Sequence, residues 1–150
     1  MIIRAANKFD LPYYTHLVHK IHTMAEIGTY NVPLDDTYLN SLFSTIIHGG
    51  GIALVVEESQ PIGMMIGVIS PNIWSPQTLV MHQILLFVDE EFRNTRAAHM
   101  LITEYIDMCN DLVQQKRISY HTISATKTMF DVDFTRFGYD WIEKTWLSVE

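Results

Sequence analysis

The sequence predicts a single α+β domain, and three observations lead there. Apolar runs of strand length alternate with segments that repeat at helical spacing, in the order β-α-α-β-β-β-α-β-α-β. Two of the central strands are joined by the tight polar turn Glu58-Ser59-Gln60-Pro61, which makes them an antiparallel hairpin. The 150 residues are 48% hydrophobic and 18% charged, enough to bury a sizeable core, and no repeat, low-complexity tract or linker interrupts them.

The elements follow in order. Ile2-Ile3-Arg4-Ala5 reads as a short first strand. Asp10 is placed to cap a helix that tolerates Pro12 in its first turn. Leu11, Tyr14, Leu17, Val18, Ile21, Met24 and Ala25 form its apolar stripe, and Gly28 ends it. A loop from Thr29 to Leu34 follows. Asp35 or Asp36 then opens a second helix with Leu39, Leu42, Phe43, Ile46 and Ile47 on one face. Gly49-Gly50-Gly51 leads into the strand Ile52 to Glu57; Ile62 to Ser70 returns. Pro71 to Gln77 is predicted as a loop carrying Trp74. Thr78 to Val88 is the long central strand. Thr95 to Val113 is the main helix, its buried stripe running through Ala98, Leu101, Ile102, Tyr105, Ile106, Cys109, Leu112 and Val113. Arg117 to Ser124 is the next strand. Thr128 to Phe137 is a short helix ended by Gly138, and Tyr139 to Val149 a last strand.

Composition excludes several classes. No apolar run approaches the ~20 residues of a membrane span, and the first residues lack a signal-peptide core, so a cytoplasmic protein without membrane association is expected. The lone Cys109 rules out an internal disulfide framework and any multi-cysteine metal site. A formal net charge of −7 argues against nucleic acid as a partner and accords with a cationic one. His16, His19 and His22 recur at spacings of three on the first helix without an obvious fourth ligand, so no metal site is expected. Gly49-Gly50-Gly51 precedes a strand, not a helix, and so lacks the dipole of a phosphate loop.

The richest stretch is the strand-to-helix junction. The run Ile84-Leu85-Leu86-Phe87-Val88 ends there, and Asp89-Glu90-Glu91-Phe92-Arg93-Asn94-Thr95-Arg96-Ala97-Ala98 carries the chain into the main helix. Unpaired amides and the positive end of a helix dipole make such a junction an anion site. Small side chains let a pyrophosphate approach the backbone. Cations at a helix start oppose the dipole unless an anion is present, so Arg93 and Arg96 point the same way.

Here the chain resembles the GNAT superfamily of acetyl-CoA-dependent N-acyltransferases. Their signature is a valine-ended strand, then Arg or Gln, two residues, Gly, one residue, and Gly or Ala. Arg93 and Ala98 fit it; Arg96 stands where the first glycine is usual. The closing segment Phe134-Thr135-Arg136-Phe137-Gly138-Tyr139 resembles the family's aromatic ending, and the element order matches its core. The resemblance implies a central mixed, mostly antiparallel sheet with helices on both faces. It also implies a parallel strand pair that splays apart at one end, where the pantetheine arm of coenzyme A enters. It assigns the pantetheine and acetyl carbonyl to the backbone of the strand ending Leu86-Phe87-Val88, and the diphosphate to Arg93, Asn94, Thr95, Arg96, Ala97 and Ala98.

Acetyl transfer to an amine requires a base, a held thioester and a proton for the departing thiolate. His82, on the central strand, is the leading base; its ordinary pKa of ~6.5 suits proton removal near neutrality. A register slip of one would substitute Gln83. His121, on the following strand, is the second candidate. Many relatives use a tyrosine as acid four residues before the closing glycine, but Phe134 stands there; Tyr139, Tyr120 or water is left to take that part. Tyr30, Asp35 and Trp74 are the expected acceptor contacts, with Asp35 also readable as a helix cap. The expected acceptor is a small amine or a protein amine. A catalytically degenerate binding module of the same fold is the alternative. Trp141-Ile142 and Trp146-Leu147 are placed to serve a homodimer.

Overall fold

The computed structural model describes residues 1–24, 32–125, 132–146 and 148. Five strands form one sheet in sequential order: β1 (Ile2–Ala5), β2 (Gly51–Glu57), β3 (Pro61–Asn72), β4 (Ser75–Val88) and β5 (Tyr120–Thr122). The first three pairings are antiparallel, and β4 with β5 is parallel. Helices α1 (Leu11–Met24) and α2 (Asp36–Thr45) cover one face, and α3 (Ala97–Gln114) covers the other.

Alternation along the strands sorts the core into two layers. Ala53, Val55, Met64, Ile66, Leu85 and Phe87 pack under Tyr14, Leu17, Leu39, Phe43 and Ile46 of the helical pair and its extension. Ile52, Leu54, Val56, Met65, Met81, Leu86 and Val88 pack under Leu101, Ile102, Tyr105 and Cys109 of α3. The ring of Tyr105 lies against Gly67, where a Cβ would stand 2.7 Å from it. That close approach is why a glycine occupies this rung.

Several element bounds differ from the sequence-based expectation. Asp10 does not cap α1. Asn7 caps the short turn Lys8–Asp10, and Asp10 is drawn inside, 4% exposed, with both oxygens on Arg4 at 2.8 Å. The expected loop Pro71 to Gln77 is instead a long hairpin turning at Ile73-Trp74. The strand around His121 is shorter than the span Arg117 to Ser124, because pairing with β4 covers only three rungs. The closing helix is a single tight turn, Phe134–Phe137, capped by Asp133 and with Gly138 left-handed at φ 88°; residues 128–131 of its expected span lie outside the described residues. Tyr139–Trp146 is not a strand, and Trp141, Ile142 and Trp146 stand exposed on it. Its apolar pattern is strand-like, but strand formation needs an edge to pair with, which a pattern alone does not supply.

Among the described residues no helix is long and apolar enough to cross a membrane, and no group of three potential metal ligands forms. Of the α1 histidines, His19 bonds Asp36 of α2 at 2.7 Å.

Candidate active site

The two parallel strands form a fork. Their rungs are Val80–Tyr120, Met81–His121 and His82–Thr122, after which β4 continues to Val88 without a β5 partner. The parting begins at a bulge: Ile66 faces Leu85 and Gly67 faces Gln83, so Ile84 is an extra residue on β4. Ile84 is 46% exposed between the buried Gln83 and the buried run Leu85 to Val88. Just beyond the last rung, the Ser124 amide donates to Gln83 Oε1 at 3.0 Å, and Gln83 is buried. A side chain thus spans what backbone pairing no longer closes.

β4 then leads into the junction. The Asp89 amide donates to the Ile62 carbonyl at 2.8 Å, which ends the strand, and a tight turn Glu90–Phe92 follows. Arg93 folds back: its Nε donates to the Val88 carbonyl at 3.0 Å, and its guanidinium lies 5.3 Å from the centre of the Phe87 ring. Lys20 of α1 lies 5.1 Å from the same ring. Burial raises the carboxyl pKa of neighbouring Asp89, an effect Lys20 and His16 partly offset. Arg96 occupies the cap position of α3, and its own side chain makes no capping bond. Thr95 Oγ1 accepts from the Ala97 amide at 3.2 Å. The first helical bond runs from the Met100 amide to the Arg96 carbonyl, so the amides of Ala98 and His99 precede the ladder. Asn94, Thr95 and Arg96 are exposed, whereas Ala97 is buried. The expected anion residues therefore divide. Arg93 is committed to protein groups, whereas Arg96 is exposed and the Ala98 and His99 amides precede the helical ladder. The sequence could not foretell that split, because both arginines flank the same turn.

The proton-handling candidates lie on opposite faces. His82 points to the α1/α2 side, with Nδ1 2.9 Å from Thr122 Oγ1. His121 shares a rung with Met81 and points to the α3 side. There its Nδ1 lies 2.6 Å from the Tyr139 hydroxyl and its Nε2 3.0 Å from Asn110 Oδ1. Burial pushes the His121 imidazole below its usual pKa. Burial and the nearby Cys109 push the Tyr139 hydroxyl up, and burial pushes the Cys109 thiol up to about 12. Phe134 packs into the apolar layer under α3. Thr122 and Asn110 were not foreseen: the β4–β5 register brings Thr122 to His82, and the packing of α3 against β5 brings Asn110 to His121, neither of which is visible in a single sequence.

Asp35 caps α2, accepting from the Tyr38 amide at 3.0 Å. Trp74 is 89% exposed at the hairpin tip, eight residues before His82, on the order of 25 Å along an extended strand. Tyr30 lies outside the described residues.

No protein-family model matches the chain, and no curated protein sequence does. Solved structures do match. A predicted acetyltransferase of Clostridium acetobutylicum, solved with acetyl-CoA, is similar at a TM-score of 0.67 and 12% identity, over 99% of this chain and 95% of that one. An aminoglycoside acetyltransferase from a soil metagenome, in complex with sisomicin, gives 0.64 and 17%, over 99% and 96%. An acetyltransferase of Trypanosoma brucei gives 0.63 and 16%, over 97% and 96%. The likeness spans the fork, the junction and both helical layers, and the chain has the fold of the GNAT-type acetyltransferases.

Proposed function

We propose that this protein transfers an acetyl group from acetyl-CoA to a primary amine, on a small molecule or a protein. The observation that carries the reading is the fork. β4 runs on to Val88 beyond its last β5 partner and delivers the chain into the start of α3, where the cap residue Arg96 makes no side-chain capping bond. Residues Leu86, Phe87 and Val88 would hold an extended arm by their backbone. The amides of Ala98 and His99, which precede the helical ladder, would hold a diphosphate together with Arg96, the Ala97 amide being taken by Thr95 Oγ1. Acetyl-CoA supplies an activated thioester, so the chain itself has only to orient it and to move protons.

An amine that arrives as ammonium must shed its charge before attack and a second proton afterwards. If His82 Nδ1–H donates to the Thr122 hydroxyl, Nε2 is left as a bare lone pair for one of these. The Tyr139–His121 pair is a second acceptor on the opposite face. The small-molecule class of acceptor is favoured by the neighbour bound to sisomicin, an aminoglycoside acetyltransferase. The reading places the protein in the cytoplasm, where acetyl-CoA is made.

A second reading, a binding module that has lost catalysis, is favoured by Phe134, which puts an apolar ring where relatives offer a hydroxyl. Thermal shift separates the two. A ligand that binds only the native state at a hundred times its Kd stabilises by about 2.7 kcal/mol. A clear rise in Tm with millimolar acetyl-CoA, together with free thiol released when amines are added, supports transfer. No rise at that concentration defeats the cofactor assignment; a rise with no thiol release across an amine panel favours the binding module.

A further inference from the structure

We propose that Asn110 is a positioning residue that sets the tautomer of His121, making the His121–Tyr139 pair a proton acceptor. The inference rests on the transfer reading above for its use, but not for its test.

Three elements meet at this point: Asn110 from α3, His121 from β5, and Tyr139 just past the left-handed Gly138. A neutral imidazole carries one N–H and one lone pair. Asn110 presents its side-chain carbonyl oxygen to Nε2 at 3.0 Å, and an oxygen there requires the proton to sit on Nε2. Nδ1 is then the lone pair, and the Tyr139 hydroxyl 2.6 Å away must donate to it. The phenol proton is thereby turned inward. The outward side of the Tyr139 oxygen offers a lone pair.

The proton step balances within these groups. A proton arriving at the Tyr139 oxygen displaces that hydroxyl's own proton to His121 Nδ1. Tyr139 is again a neutral phenol, and His121 becomes an imidazolium whose two N–H groups both have acceptors, Tyr139 and Asn110. Release to water restores the start. The other charged and titratable groups facing this cluster are Cys109 and Tyr105 of α3, both buried and held protonated. With the opposite orientation of Asn110, its NH2 on Nε2, the ring would carry Nδ1–H and Tyr139 would be a proton donor instead. The position of one amide thus decides which way the pair works.

Nitrogen-15 NMR of the histidine rings in the full chain tests this directly. Asn110 is on the exposed side of α3, so its replacement leaves the buried stripe of that helix in place. The parent protein should show neutral His121 as the Nε2–H form. Asn110→Asp keeps an acceptor and adds a charge, so the same tautomer persists and the ring binds its proton about tenfold more tightly or better. Asn110→Lys offers only donors, so the ring shifts to Nδ1–H and titrates lower. An Nδ1–H ring in the parent, or an Asn110→Asp ring that titrates where the parent's does, overturns the proposal. In kinetics, a base works unprotonated, so the rising limb of kcat should move to higher pH in Asn110→Asp while KM for acetyl-CoA holds. A limb that stays put while the ring's titration moves overturns the proton role. If no transfer is detected at all, the NMR outcomes still decide the tautomer, and it is the transfer reading that has failed.

Discussion

His82 and Thr122 form the last rung that β4 and β5 share, and their side chains meet at 2.9 Å between Nδ1 and Oγ1. Beyond this pair the strands part. The contact therefore fixes an imidazole at the base of the fork on the face covered by α1 and α2.

If that imidazole is a base, His82→Ala should lower kcat by about a hundredfold while leaving acetyl-CoA binding near its parent value. Thr122→Val removes the orienting hydroxyl and should cost less, roughly tenfold. Steady-state kinetics with binding measured separately checks both. Equal rates in His82→Ala and the parent would remove His82 from the mechanism.

The two junction arginines should separate by assay. Arg96→Ala should weaken coenzyme A binding by about threefold to fivefold, as for an exposed ion pair, with little change in Tm and a shallower salt dependence. Arg93→Ala breaks the bond to the Val88 carbonyl and uncovers the Phe87 ring. It should cost about 1–2 kcal/mol of stability. Calorimetric titration and denaturant melts, run side by side, would show the reverse pattern if the roles are exchanged.

Gly67→Ala should be destabilising by about 1–3 kcal/mol, because the added carbon meets the Tyr105 ring at 2.7 Å and the Met81 sulfur at 2.9 Å. Combining it with Tyr105→Leu should recover part of that loss, a coupling that a double-mutant cycle in urea measures. Strict additivity would mean the two sites do not touch.

Acid should unfold the protein in part through Asp10. Burial alone would raise this carboxyl, but hydrogen bonds from Arg4 and the Asn7 amide outweigh it and hold the pKa below the usual carboxylate value. A depressed folded pKa gives stability that is present above pH ~4 and is lost as pH falls through the folded value. Asp10→Asn should cost about 2–3 kcal/mol at pH 7, toward the low end for a broken buried pair because Arg4 retains solvent access. Its melting temperature should also vary less than the parent's between pH 5 and 2. A variant that loses the same stability as the parent over that range would exonerate Asp10.

Much of the scaffold was legible because local physics and tertiary burial agree there. The stripe Leu101, Ile102, Tyr105 and Cys109 has helical spacing and is buried. The turn Glu58-Ser59-Gln60-Pro61 joins strands that do pair. Legibility failed where a residue had two uses. Asp10 has the chemistry of a helix cap and of an ion-pair partner, and only the proximity of Arg4 on β1 chose the second. The segment after Gly138 has strand-like composition, but its hydrogen-bonding edge is a property of the assembled sheet.

By itself the sequence determined which segments could be strand or helix, and that one junction is rich in unpaired amides and arginines. These are local properties, set by side-chain period and backbone chemistry within a few residues. The tertiary structure alone decided where β4 and β5 separate, which arginine is free, and that His82 and His121 face opposite sides with Thr122 and Asn110 as their partners. Those outcomes depend on strand register and on one extra residue at Ile84. A shift of a single position would exchange the faces, and nothing in the chain's local chemistry specifies it.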